Sequence, residues 1–199
     1  MLLGCPSPLP GKILFSTAKR NTMVSAEEEI FEIVDEYDRI VGRATRRQCH
    51  GNPALIHRVA HVLVFNKRGA VLLQKRSLRK DIQPGRWDTS VGGHLAPGED
   101  YRQAALRETG EELGIEEPVL TFLYRSCIRN DIEAENVATF MTYHEGPFSF
   151  AGDEIEEVRF WTAEEIDAVL GKGIFTPNFE EEWRLYGLWK KGKAKALGG

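Results

Sequence analysis

Residues 93–115 read Gly93-His94-Leu95-Ala96-Pro97-Gly98-Glu99-Asp100-Tyr101-Arg102-Gln103-Ala104-Ala105-Leu106-Arg107-Glu108-Thr109-Gly110-Glu111-Glu112-Leu113-Gly114-Ile115. Two glycines and a proline in the opening residues mark irregular backbone. Glu99 and Asp100 then put acids where the positive end of a helix favours them. Gly114 is the residue type that most easily takes a left-handed cap. The stretch is therefore a loop feeding a helix of about four turns. At about 100° per residue, Glu108, Glu111 and Glu112 fall within roughly a 100° arc. Tyr101, Ala105, Thr109 and Leu113 trace the apolar stripe that faces a core. Glu108 and Glu112 border that stripe, whereas a merely solvated acidic run points away from it. Three carboxylates held beside a core repel one another unless a cation lies between them. Oxygen-only ligands suit a hard divalent ion, Mg²⁺ or Mn²⁺, shared with substrate phosphates.

These residues resemble the Nudix box: Gly, five residues, Glu, seven residues, then Arg-Glu-aliphatic-any-Glu-Glu-any-Gly-aliphatic. Gly93, Glu99, Arg107, Glu108, Glu111, Glu112 and Gly114 fill its fixed positions, and Thr109 stands in one aliphatic slot. That departure touches packing, not ligation. So many constrained positions at fixed spacing separate this match from a lone glycine motif. The resemblance implies an α/β protein of the Nudix fold, a mixed β-sheet sandwiched between helices. It implies hydrolysis of a nucleoside diphosphate linked to another moiety. It implies a metal ion on Glu108, Glu111 and Glu112, with the Gly93 carbonyl as a further ligand. Glu111 or Glu112 is then the catalytic base, and Glu99 and Arg107 fix the loop to the helix.

The rest of the chain is consistent with one soluble domain. Its 199 residues are enough for a sizeable core. The net charge is 26 minus 30, or −4, which argues against nucleic acid as a polymer partner. No apolar run reaches membrane-spanning length, so no membrane partner is expected. Cys5, Cys49 and Cys127 are odd in number and widely spaced, which suits a reducing cytoplasm. Leu3-Gly4-Cys5 lacks the basic start and apolar stretch of a lipoprotein signal. Residues 1–27 are expected to be a flexible tail, with Met23 an alternative start, and residues 191–199 a second tail. The domain is expected over residues 28–190. No residue pattern bears on assembly, and a homodimer is compatible with the sequence.

Along the chain, Ile30–Val34 and Arg39–Arg46 read as a hairpin around Asp35-Glu36-Tyr37-Asp38. His57–Phe65 and Ala70–Arg76 form a second hairpin around Asn66-Lys67-Arg68-Gly69. Trp87–Gly92 is a short strand delivering the chain to the box. Val119–Ile128 and Val137–His144 are further strands, joined by the polar stretch Asn130–Asn136, and Val158–Trp161 is the last. Thr162 and Glu165 make a capping box for a helix stopped by Gly171. Thr176-Pro177 opens a final helix to about Lys190, interrupted by Gly187, whose Phe179, Trp183 and Tyr186 are read as core.

His50, His57 and His94 flank the box at loop and strand-edge positions. With Glu133 and Glu135 they resemble a Nudix relative, isopentenyl-diphosphate isomerase. That family has two histidines seven residues apart, a third after the tryptophan strand, and a Glu-any-Glu pair in a later hairpin. Three imidazoles and two carboxylates suit a second divalent metal such as Zn²⁺. The same resemblance places Arg76 and Lys80 beside a diphosphate, where paired cations neutralise charge. Isomerases of this type carry a cysteine two residues before the third histidine. Here that position is Gly92, which neither moves a proton nor carries a thiolate. The intact box therefore points to hydrolysis on an isomerase-like scaffold. The rival readings are an isoprenoid-diphosphate isomerase and a non-catalytic diphosphate sensor. Glu154, Glu156 and Glu157 are alternative bases. Trp87, Phe122, Tyr124 and Trp161 are candidates for stacking a base, with burial the commoner outcome.

Overall fold

The computed structural model describes residues 28–80 and 82–192. The readings of residues 1–27, including Cys5 and Met23, and of residues 193–199 lie outside these. A first hairpin pairs β1 (Ile30–Val34) with β2 (Ile40–Thr45). Thr45 then caps a single turn, α1 (Arg46–Cys49), so the second strand stops one residue short of Arg46.

The main sheet runs β5 (Trp87–Asp88), β4 (Val71–Arg76), β3 (His57–Phe65), β8 (Ala134–Tyr143), β7 (Thr121–Arg129). β6 (Val91–His94) pairs with β3, and β9 (Ile155–Trp161) with β4. β3 and β8 are parallel and the other pairings antiparallel, so the sheet is mixed, as expected.

Alternate residues of β3 enter opposite cores. Ala60, Val62 and Val64 pack with Ala104, Ala105 and Leu113 of α2 (Tyr101–Leu113). Leu63 and Phe65 pack with Phe179 and Leu185 of α4 (Pro177–Lys190), with Ile166 of α3 (Ala163–Val169) in the same cluster. The sheet thus lies between α2 and α4, and every side chain on β3 or β6 belongs to one face or the other.

Several boundaries differ from the sequence reading. The strand over 87–92 breaks at Thr89-Ser90, because Ser90 Oγ donates to Leu72 O at 2.5 Å and accepts from Val64 N–H at 2.8 Å. β8 starts at Ala134, so Glu135 and Asn136 are strand residues. β9 starts at Ile155 and takes in Glu156 and Glu157. Gly187 does not interrupt α4, where packing outweighs the roughly 1 kcal/mol cost of a helical glycine. Among the described residues, no helix is long and apolar enough to cross a membrane.

Candidate active site

α2 begins at Tyr101 because Asp100 and Gln103 form a reciprocal capping box, and it ends on Gly114 at φ 67°. Glu99 lies just outside the helix and turns back. Arg107 Nε and Nη2 donate to its two oxygens at 2.8 and 2.9 Å, and Nη2 also donates to His94 O at 2.9 Å. Ala96 N–H completes the carboxylate's partners at 2.8 Å. This bidentate pair fastens loop to helix, the role expected for Glu99 and Arg107. The Arg107 hydrogen bonds hold the Glu99 carboxyl below the ordinary range. Thr109, in the departed aliphatic slot, is fully buried and donates Oγ1–H to Ala105 O at 2.6 Å, so its hydroxyl is satisfied within the helix.

The three glutamates differ in surroundings. Glu108 lies flat on Gly93: a Cβ built there would fall 1.9 Å from Glu108 Cδ. Glu112 accepts from Gln74 Nε2 of β4 at 3.2 Å. Burial pushes the Glu112 carboxyl up to about 8, and the charges of Glu108 and Glu154 push the same way. Burial raises Glu108 as well, against the pull of Arg107. Glu111 is 62% exposed and meets Arg107 Nη1 at 3.1 Å, while Glu108 meets the same nitrogen at 2.7 Å. The three carboxylates therefore do not converge on one point here. Glu108 and Glu111 turn to Arg107, and Glu112 turns to Gln74. Two acids raised by shared burial are what a hard cation would relieve, so the donor set fits Mg²⁺ or Mn²⁺.

A pH dependence follows. Glu112 is raised from an ordinary 4.5 to about 8 in the fold, so its protonated form contributes stability that is lost as pH climbs through that window. In EDTA, the melting temperature of the wild type is expected to fall relative to Glu112→Gln between those pH values. Mg²⁺ is expected to remove the difference. Parallel melting curves check this.

The two cations expected at the diphosphate are engaged. Arg76 donates to Ile82 O at 3.0 Å and to Asp88 Oδ2 at 3.2 Å, and Lys80 Nζ lies 3.1 Å from Glu154 Oε2. Lys75 similarly pairs with Glu156 at 3.1 Å, which turns that alternative base towards solvent.

On the opposite face of β6 the histidines converge. Ligand nitrogens of His50, His57 and His94 lie within 4.8 Å of one another. Their Nε2 atoms are buried without a hydrogen-bond partner among the described residues. Glu135 Oε1 approaches His57 Nε2 at 3.3 Å and His94 Nε2 at 3.6 Å, within ion-pair reach but not aligned as hydrogen bonds. Burial, with Arg46 nearby, holds His50 down to about 4, and burial lowers His94. Imidazoles kept neutral are the form that binds metal. Burial opposes ionisation of Glu135, but His57 and His94 outweigh it and hold its carboxyl well below the usual range. Glu133 departs from the expected set: its Oε1 accepts from Asn178 of α4 at 3.3 Å.

A profile of the NUDIX domain matches residues 55–179. The chain belongs to the Nudix family. As a Nudix hydrolase it is 34% identical over 152 residues to an uncharacterized Nudix hydrolase of Yersinia pestis, covering 75% of this chain and 81% of that one. It is 32% identical over 176 residues to the Nudix hydrolase YfcD of Escherichia coli K12, covering 85% and 91%. It is also 34% identical over 161 residues to an isopentenyl-diphosphate Delta-isomerase of Streptomyces avermitilis, covering 78% and 82%. A crystal structure of a Deinococcus radiodurans protein shares the fold at TM-score 0.69 and 24% identity, covering 78% of this chain and 98% of that one. The NUDIX domain of Shewanella oneidensis NrtR, crystallised with ADP ribose, shares it at TM-score 0.53 and 15% identity, covering 68% and 86%. The chain is thus an enzyme that acts on diphosphate bonds, in a family that generally uses a divalent metal.

Four polar residues around the two centres of this Nudix hydrolase carry no motif. Gln74 and Asp88 are isolated polar residues in strands. His61 Nδ1 lies 3.0 Å from Glu182 Oε1, across 121 residues of sequence. A second histidine on the face of β3 that carries His57 is the one sequence signal for this pair. Of the aromatic candidates, Tyr124 and Trp161 are buried, Trp87 stands edge-on to Trp161, and Phe122 lies 51% exposed against Phe140.

Proposed function

We propose that this Nudix hydrolase cleaves a phosphoanhydride in a nucleoside diphosphate or another diphosphate-linked small molecule, using Mg²⁺ or Mn²⁺. Glu108, Glu111 and Glu112 would hold the ion, with the Gly93 carbonyl beside them. The observation that carries this is the box geometry: Glu108 seated against Gly93 and the Glu112 carboxyl buried against Gln74 on one loop and helix, fastened by the Glu99–Arg107 pair. A bound divalent ion would supply charge neutralisation and a water of lowered pKa. Glu111 or Glu112 would take the proton from the attacking water. Arg107 keeps Glu108 and the loop in place. Arg76 and Lys80 exchange Asp88 and Glu154 for phosphate oxygens and offset the charge that builds there. A screen of diphosphate compounds with Mg²⁺, Mn²⁺ and Zn²⁺ in parallel tests this by phosphate release. Turnover with Mg²⁺ or Mn²⁺ is expected; none with any metal at any pH, despite tight binding, would favour the sensor reading.

The histidine centre supports a second metal. We propose that His50, His57, His94 and Glu135 hold one transition-metal ion such as Zn²⁺, with Glu133 at its rim. Metal analysis is expected to find about one such ion per chain in His94→Ala-sensitive fashion. A chelator is expected to lower stability by about 3 kcal/mol if the ion had been present at 100 times its dissociation constant. Unchanged melting after chelation would remove this site.

The same centre is what favours the isomerase reading, given the relative of that name. Against it, Gly92 offers no thiol. The group facing Gly92 is His61 paired with Glu182, polar company for a hydrocarbon tail. Deuterium uptake from heavy water into isopentenyl diphosphate would revive it. We further propose residues 28–190 as the functional domain and the cytoplasm as its location.

A further inference from the structure

Three of the four side chains at the histidine centre are set by the main sheet. His57 of β3 is the register partner of Glu135 of β8, and His94 of β6 is the partner of Val59, two residues along β3. His50 is not on that sheet. It follows α1, which Thr45, the last residue of β2, caps directly. β1 and β2 form a sheet of two strands, and such a hairpin is marginal on its own in water. Where His50 comes to rest therefore depends on how the hairpin is docked.

The hairpin straddles the end of β3. Phe31 lies on the histidine side, its ring centroid 4.2 Å from that of His94 and 5.1 Å from that of His57. Glu32, the next residue, turns the other way and accepts from Arg58 Nη2 at 2.5 Å. Arg58 and Asn136 alternate with His57 and Glu135 along β3 and β8, so they belong to the box-helix face. On that face Asp38 fastens the turn of the hairpin. Its Oδ1 accepts from Tyr101 O–H of α2 at 2.8 Å and from Asn136 Nδ2–H of β8 at 3.0 Å. Its Oδ2 accepts from Arg125 of β7 at 2.7 Å. One carboxylate thus gathers three elements that lie 63 to 98 residues away in sequence. Burial opposes the charge on Asp38, but Asn136, Arg125 and Tyr101 outweigh it and hold the carboxyl below the usual range.

We propose that Asp38 is a positioning residue for the histidine centre: by clasping the hairpin to α2, β7 and β8, it brings His50 to the three side chains that the sheet already fixes. This deepens the reading of His50, His57, His94 and Glu135 as a transition-metal site, and rests on it. Asp38 acts through His50 and touches no ligand atom. A second tether, Gly51 N–H to Ile132 O at 2.8 Å, holds the chain just after His50. Loss of Asp38 therefore loosens His50 without releasing it.

The test is a Zn²⁺ titration of the full chain in competition with a chromophoric chelator, with Co²⁺ absorption as a second readout. Asp38→Gly suits the turn, where φ is 65°, and removes all three bonds. It is expected to weaken Zn²⁺ about tenfold, the low end for loss of a group that orients a ligand. The visible Co²⁺ bands, which report ligand number and geometry, are expected to change with it. Asp38→Asn keeps the Oδ1 acceptor for the two buried partners, Tyr101 and Asn136, and gives up only Arg125, whose side chain is 47% exposed. It is expected to bind Zn²⁺ as the wild type does, since an exposed pair contributes little. In a His50→Ala background, Asp38→Gly is expected to lose nothing more, because it acts through a side chain already gone. A merely structural role would weaken Zn²⁺ there too. If metal-free melting shows Asp38→Gly unfolded, Tyr101→Phe replaces it in both backgrounds, with the same pattern expected. Zn²⁺ held by the variant as tightly as by the wild type, or a loss repeated in His50→Ala, would overturn the clasp and leave the metal site standing. A wild type that binds no Zn²⁺ removes the site and the clasp together.

Discussion

Glu112→Gln is expected to lower turnover about 10²–10⁴-fold, the range for loss of a positioned proton acceptor. The variant keeps the shape of the side chain, so its contact with Gln74, 3.2 Å in the wild type, can persist between two amides. What goes is the charge. The carboxylate that burial, Glu108 and Glu154 raise to about 8 is replaced by a group that neither takes a proton nor attracts a cation. Without metal, glutamine matches the neutral form that burial favours below about pH 8 and removes the ionised form above it, so the metal-free melting temperature is expected to stay level or rise. The loss then belongs to chemistry and not to folding. Initial rates across the diphosphate panel, read beside melting curves, check both halves. Wild-type rates in this variant would end the proposed role of Glu112.

Gly93→Ala is expected to cost nearly as much activity by a different route. The new Cβ would sit 1.9 Å from Glu108 Cδ and 2.1 Å from Oε1. No packing tolerates that approach. The atoms in the way belong to a side chain, so the glutamate swings off and the backbone of β6 holds. The fold is expected to survive while Glu108 leaves the ion site. Activity is expected to fall about 10²-fold, comparable with loss of one preorganised stabilising group. The two changes share one partner, so Gly93→Ala combined with Glu108→Gln is expected to lose little more than either alone. Additive losses would mean that the glycine matters for the strand and not for Glu108.

Much of this architecture was legible in the chain. The box gave its loop, helix and caps because its glycines, acids and apolar stripe each have a local cause. The mixed sheet followed from strands and helices that interleave. Less legible was anything decided across the fold. The strand over 87–92 broke because the Ser90 hydroxyl bridges Leu72 and Val64, partners far away in sequence. Gly187 stayed helical because α4 is held by its packing on the sheet. Glu133 was grouped with Glu135 by spacing, yet Glu133 lies in the loop before β8 and turns to Asn178, while Glu135 is held in the strand and meets the histidines. Periodicity placed Glu108, Glu111 and Glu112 on one arc, and the fold then separated them by burial. Glu111 reaches solvent and Arg107, while Glu112 faces Gln74. The His61–Glu182 pair spans too much sequence for any motif to join it.

The most direct measurement is anomalous diffraction from crystals grown with Mn²⁺. Expected is a manganese peak at the edge of α2, within ligand distance of the Glu108 and Glu112 carboxylates, with Glu111 turned from Arg107 towards it. A map with no peak there under excess Mn²⁺, or with manganese only among His50, His57 and His94, would contradict a cation held by the box helix.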